Sequence, residues 1–298
     1  MMNKNVISHI LAVIIMIIWG LSYLSIKIVV TEIEPTLSAF YRFLIASIVL
    51  FVILKVKYPN ETILKEDRKR IIIGALFGIT LYFLFENYSV KFTSASNVAI
   101  LISTIPIFML VVQKFKYNEK MGVFKILGAS LSVIGIIIVI ASKERISLFS
   151  KGSVGDLMVL GAVMCWVMYN IFSSNFKKDY KSITITTYQS IAGCLMLSPS
   201  LFFSNITLPS FKVIMNLSFL ALFCSCIAYM MYIYCLKNLG ATVITTYINL
   251  QPLVSLVSAK LFLNETVTKH QIMGCMIIIL GVTLVSLSDK IKIKQIVL

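Results

Sequence analysis

Residues 106–135 read PIFMLVVQKFKYNEKMGVFKILGASLSVIG, and residues 252–281 read PLVSLVSAKLFLNETVTKHQIMGCMIIILG. A shift of 146 positions lays one on the other and pairs Pro106 with Pro252, Asn118 with Asn264, Glu119 with Glu265, Gly128 with Gly274 and Gly135 with Gly281. Upstream, the same shift pairs Tyr88 with Tyr234 and Lys91 with Lys237. Earlier still the offset becomes 147, which sets Trp19 against Trp166, Tyr41 against Tyr188 and Arg42 against Gln189. Self-similarity at one fixed period implies that the chain is built from two copies of one plan.

The solvent of both copies is lipid. Of the 298 residues 59% are hydrophobic and 13% charged, and the mean hydropathy is +0.94, far above that of a soluble chain. Apolar runs fall near residues 10–30, 36–56, 71–90, 95–113, 124–141, 155–174, 183–203, 214–236, 242–263 and 271–288. A helix rising ~1.5 Å per residue needs ~20 apolar residues to cross a hydrocarbon core ~30 Å thick. The expected fold is therefore an all-α integral membrane protein with ten transmembrane helices. Five crossings per copy is an odd number, so the second copy must lie upside down relative to the first, as two inverted five-helix repeats. The expected organisation is a first repeat over 1–142, an external linker over 143–154, a second repeat over 155–288 and a cytoplasmic tail over 289–298. The run after Lys4 continues past Trp19 to Val30 without an A-x-A cleavage pattern, and is read as the first span rather than a signal peptide.

A net charge of +15 would suit a nucleic-acid partner, but its placement argues against one. With the N-terminus inside, the inner segments hold 18 Lys and Arg residues and the outer segments seven. That bias obeys the positive-inside rule and puts both termini in the cytoplasm, with the chain multi-pass in the cytoplasmic membrane. The six cysteines all lie in apolar segments with no C-x-x-C spacing, and read as buried small hydrophobes rather than bridges or metal ligands.

Several of these residues carry a family resemblance over essentially the whole chain. They are Trp19-Gly20, Lys27, Arg42, the block Thr93–Ser96, Pro106 and Asn118-Glu119 with Gly128 and Gly135, and in the second half Leu239–Thr242, Pro252, Asn264-Glu265, Gly274 and Gly281. In this order and repetition the chain resembles the ten-helix EamA branch of the drug/metabolite transporter superfamily. The second half departs from the first at Val167, where the first has Gly20, and at Gln189, where it has Arg42. The resemblance implies export or uptake of small metabolites, often amino acids, with export the expected direction.

Within the spans, polar groups recur at helical spacing. Trp19 with Tyr23, Tyr82 with Glu86, and Trp166 with Tyr169 and Asn170 are three or four residues apart and can share a face. Trp19 falls mid-span, away from the interfacial belts where Trp usually sits. Tyr229, Tyr232, Tyr247, Asn249 and Gln251 add polar groups in the second half. The expected substrate site comprises Trp19, Tyr23, Tyr82, Glu86, Trp166, Tyr169, Asn170, Tyr232, Tyr247 and Asn249, each of which could instead bond one helix to another. Glu86 is the only acidic residue deep within a span, about 22 Å from the inner end by the helical rise, and intramembrane charges are functional candidates by default. Lys27 and Arg42 fall at similar depth. Either is expected to pair with Glu86 as an outer gate or as a handle for a zwitterionic solute, the alternative being that both reach outward to Glu32 and Glu34. Pro106 and Pro252 lie inside spans and read as hinges or as static bends. Glu119 and Glu265 follow Asn118 and Asn264 at the starts of the fifth and tenth helices, where an Asn cap and an acid in the first turn suit the helix dipole. The paired glycines, with Gly74 and Gly78, are expected to let helices approach closely.

Only His9 and His270 could supply imidazole, and the spans hold no clustered metal ligands or paired carboxylates, so neither an enzyme, a metal nor a cofactor is expected. The expected function is secondary transport of a small organic metabolite by alternating access, with a passive small-solute channel the nearest alternative and a membrane-embedded enzyme the next. The expected partners are the small-molecule substrate and membrane lipid, without nucleic acid, in a monomer or weak homodimer.

Overall fold

The computed structural model describes residues 4–117, 123–140, 151–174, 176–204 and 208–296, and in them the chain is helical throughout. Helices α1 (Lys4–Val29) and α2 (Pro35–Lys57) form the first hairpin. Then come α3 (Lys65–Ala75), a π-helical turn over Leu76–Leu81 and α4 (Tyr82–Phe92), which together make one 28-residue helix. Next are α5 (Ala95–Ile102), α6 (Ile105–Tyr117) and α7 (Val123–Ile140). The second half runs α8 (Lys151–Ser173), α9 (Ser182–Leu197), the single turn α10 (Ser200–Phe203) and α11 (Phe211–Phe219). A second π turn, Leu220–Ile227, leads into α12 (Ala228–Leu239); α13 (Ala241–Thr246), a 3-10 turn at Tyr247–Leu250, α14 (Gln251–Phe262) and α15 (Lys269–Ile296) complete it.

Among the described residues six helical stretches are long and apolar enough to cross a membrane, from Lys4–Val29 to Phe211–Leu239. The other expected runs are shorter for identifiable reasons. Helix α9 stops at Leu197, just before Pro199, which has no N–H to continue the backbone ladder, and the run at 242–263 is broken by the 3-10 turn. Two elements run across expected boundaries. Helix α8 already begins at Lys151, inside the expected 143–154 segment, while residues 141–150 lie outside the described ones. Helix α15 runs on past 288 to Ile296.

Elements 146 positions apart behave alike. The two π turns match, and so do the breaks before Pro106 and Pro252. Helix α4 packs on α8 and α12 on α1, while α2 packs on α9 and α7 on α15. The α7–α15 seam is the tightest. A Cβ on Gly135 would stand 2.8 Å from the Gly274 carbonyl oxygen, and one on Gly281 2.5 Å from that of Gly128. Each glycine thus meets the backbone of the other's partner, which no larger residue would permit. Gly74 and Gly78 act similarly: a Cβ there would strike the Gln189 amide and the Tyr169 ring.

Helix ends show where the capping expectation fails. Asn264 takes a positive φ of 52° just past α14, and the cap of α15 is instead reciprocal: Gln271 N–H donates to Thr268 Oγ1 (3.2 Å) and Thr268 N–H to Gln271 Oε1 (2.8 Å). Glu265 caps a different helix. Its carboxylate accepts from Ala95 N (3.0 Å), Ser96 N (3.4 Å) and Ser96 Oγ (3.0 Å), the open N–H groups at the start of α5. Asn118 and Glu119 lie outside the described residues. The prolines occupy first turns: Pro106 is the second residue of α6 and Pro252 the second of α14, where a missing N–H costs little. Ser103 and Thr104 turn their hydroxyls back onto the carbonyls of Ile100 and Leu101 (2.6 and 2.7 Å), which keeps that break satisfied without water.

Candidate functional site

Both π turns release a carbonyl toward the interior. In a regular helix Ala228 N–H would bond Cys224 O; here it reaches Phe223 O instead, and Cys224 O accepts the indole N–H of Trp19 at 3.2 Å. Tyr82 N–H also leaves the regular ladder, bonding Ile79 O three residues back rather than Gly78 O, and Gly78 O accepts the Tyr229 hydroxyl at 2.8 Å. Cys224 and Gly78 are 146 apart. Each irregular turn thus hands a backbone acceptor to an aromatic side chain on another helix.

Those aromatics line a constricted cavity of about 20 Å³. Trp19 meets Trp166 edge-on with centroids 5.3 Å apart, and lies 5.7 Å from Tyr229 and 5.1 Å from Tyr232. Tyr82 sits 4.8 Å from Trp166. Tyr23 donates to Gln251 Oε1 at 2.9 Å. These spacings suit mutually attractive edge-to-face pairs and would also grip the apolar or cationic part of a solute.

Two opposite charges face this cavity. Arg42 is 2% and Glu86 4% exposed, so neither is hydrated from outside. Arg42 donates Nε–H to Ser225 Oγ at 2.6 Å and lays its guanidinium 4.3 Å from the Phe83 ring centre, while its NH1 has no hydrogen-bond partner. Glu86 accepts from the Tyr82 hydroxyl at 2.8 Å. Among the described residues no ion pair joins Glu86 to Arg42 or Lys27, which corrects the expected direct pairing. Lys27 is taken elsewhere: its ammonium bonds the carbonyls of Val90 (2.6 Å) and Thr93 (2.7 Å), capping the C-terminal end of α4 where the helix dipole favours a cation. Nor do Lys27 and Arg42 reach the outer-loop acids. Glu34 holds Tyr88 and Lys91, and Glu32 holds Ser210.

Of the other expected site residues, Trp19, Tyr23, Tyr82 and Trp166 line the cavity. Tyr169, Asn170 and Tyr232 stand one layer back. Trp166 Nε1 donates to the Tyr232 hydroxyl (3.2 Å), which donates to Asn170 Oδ1 (2.7 Å). Tyr247 is turned away onto His9, its hydroxyl 2.6 Å from Nδ1, and Asn249 is not part of the lining, its Oδ1 buried without a partner. The 3-10 turn accounts for both, because its tighter winding directs Ile248 rather than its neighbours to the cavity. Sequence reasoning missed Ser22, Phe83 and Ser225. Ser22 stands three residues after Trp19, a spacing that marks a shared face; Phe83 and Ser225 carry no local signal.

The comparisons with known proteins agree with this architecture. The family model described as the EamA-like transporter family matches residues 6–141 and again residues 153–287. An uncharacterized transporter of Archaeoglobus fulgidus is 30% identical over 283 residues, covering 93% of this chain and 96% of the relative. The uncharacterized transporter YoaV of Bacillus subtilis is 28% identical over 272 residues, covering 89% and 92%. A protein of known crystal structure superposes with a TM-score of 0.70 at 14% identity, over 95% of this chain and 98% of that one, which speaks to the fold alone. With one family matched in each half, and several apolar helices closing around a charged and aromatic cavity, this chain belongs to the EamA-like transporter family of multi-pass membrane transporters.

Proposed function

We propose that the protein is a secondary transporter that exports a small zwitterionic or amphipathic metabolite across the cytoplasmic membrane by alternating access. Ten spans lie as two inverted five-span repeats, with both termini in the cytoplasm. The observation that carries this reading is the pairing of Arg42 and Glu86 in one buried cavity without an ion pair between them. A buried charge left unsatisfied is expensive, and a solute bearing a carboxylate and an ammonium would satisfy both at once, with its apolar body among the rings of Trp19, Trp166 and Tyr229. The matched breaks before Pro106 and Pro252 are the proposed hinges, since a helix already interrupted there bends without losing a ladder bond. The site is built within one chain, so a monomer suffices. No residue set in the cavity calls for chemistry on the solute.

The test is flux in proteoliposomes with three related probes: phenylalanine carries both charges, phenylacetate the carboxylate alone and phenethylamine the ammonium alone. Phenylalanine should be taken up saturably and bound more tightly than either fragment. Counterflow separates carrier from channel, because solute on the far side accelerates a carrier and leaves an open pore unaffected. Equal, unsaturable passage of all three probes would remove the reading.

A further inference from the structure

Arg42 is the charged group in the cavity with an open donor, and what fixes it comes from the opposite half of the chain. We propose that Ser225, carried on the π turn Leu220–Ile227, is the positioning residue that presents Arg42 to the solute; the proposal rests on the transport reading above. Three contacts define the guanidinium. Its Nε–H is taken by Ser225 Oγ at 2.6 Å. One face lies on Phe83, 4.3 Å from the ring centre. Its NH1 is buried and unpaired. A guanidinium is planar and recognises carboxylates through a fixed edge. Stacking on Phe83 alone would leave it free to rotate in its own plane. The Ser225 bond removes that freedom and fixes which edge remains open.

The neighbouring residue serves the same half. Cys224 O, bypassed by the ladder at the π turn, holds the indole of Trp19. Two consecutive residues on one turn therefore orient two cavity residues on α1 and α2. Ser225 is itself fully buried and is not part of the cavity lining, so it acts through Arg42 and not on the solute.

The chain contains four arginines, Arg42, Arg68, Arg70 and Arg145, so protein labelled with nitrogen-15 arginine gives four Nε–H resonances. Loss of one in Arg42→Lys assigns it. In wild-type protein that proton should exchange with water most slowly of the four. Ser225→Ala should accelerate its exchange by at least about tenfold and Ser225→Thr, which keeps the hydroxyl, should restore slow exchange. In the same variants the dissociation constants of phenylalanine and phenylacetate should rise about tenfold for Ser225→Ala while that of phenethylamine stays within about twofold. Unchanged exchange in Ser225→Ala would overturn the proposal, as would an equal loss for all three probes, which is the mark of a merely structural role. Should wild-type protein bind none of the probes, the transport reading fails while the exchange measurement still decides the role of Ser225.

Discussion

Matched positions in the two halves of the cavity carry different chemistry. Where the first half places Tyr23, Arg42 and Glu86, the offsets of 147 and 146 put Asn170, Gln189 and Tyr232 in the second. The second set is neutral: Trp166, Tyr232 and Asn170 form a chain of hydrogen bonds, and Gln189 Nε2 donates to Ser173 at 2.9 Å while its buried Oε1 has no partner. The first set is charged, and Arg42 keeps an open donor. One plan has thus been used twice, once with buried charges and once with neutral groups. Duplication supplies the geometry, while divergence at a few buried positions decides which copy carries the charge.

The sharpest way to break this contrast is to neutralise the first half. Glu86→Gln should reduce phenylalanine flux to background at normal protein levels, whereas Tyr232→Phe at the matched position should leave flux within a fewfold of wild type; unchanged flux in Glu86→Gln removes the division of labour. Arg42→Gln copies the second half's residue into the first. It should weaken phenylacetate binding about a hundredfold, the usual consequence of deleting one member of a buried charge contact, and equal binding would show that the open donor meets no ligand.

Where the halves are alike, matched changes should act alike. Gly281→Ala forces a methyl against Ser132 and the Gly128 carbonyl and should cost about 1–3 kcal/mol of stability, as overpacking does. Gly135→Ala should cost a similar amount, read as a lower Tm in detergent. A large difference between the two would mean that the seam is not equivalent from its two sides. The smallest effect concerns Glu32, at the position matched to Asp179. Hydrogen bonds from the Ser210 backbone N–H and hydroxyl hold its carboxyl below the ordinary range. A lowered native value stabilises the fold at pH above the ordinary carboxylate value, and the contribution is lost as pH falls through the lowered one. The Tm difference between wild type and Glu32→Gln should therefore be small and constant near neutrality, begin to shrink as pH falls to about 4 and vanish below the lowered native value; a difference that grew on acidification would contradict this bond.

The repeat, the helical character and four aromatic members of the cavity wall were legible because they rest on periodicity and on polar residues standing out against apolar runs. The partners were not. Lys27, Arg42 and Glu86 looked like one charged group by depth along their helices, but depth does not fix azimuth, and Lys27 turned to the end of α4. The π turns left no trace either, since their extra residue is stabilised by Trp19 and Tyr229 from other helices. Glu265 was read as a first-turn acid of its own helix and serves another, because an N-terminus 169–170 residues away competes with the local one only once the chain has folded.

That last bond has a consequence for biosynthesis. The start of α5 leaves the ribosome early, but the carboxylate that closes its N–H groups is made 170 residues later, and the helix that seals α7 is α15, the last in the chain. A nascent first half must therefore wait in the bilayer with exposed ends and an unfilled glycine groove until α15 has been made. Chains that stall after the first half are the ones that quality-control proteases should clear.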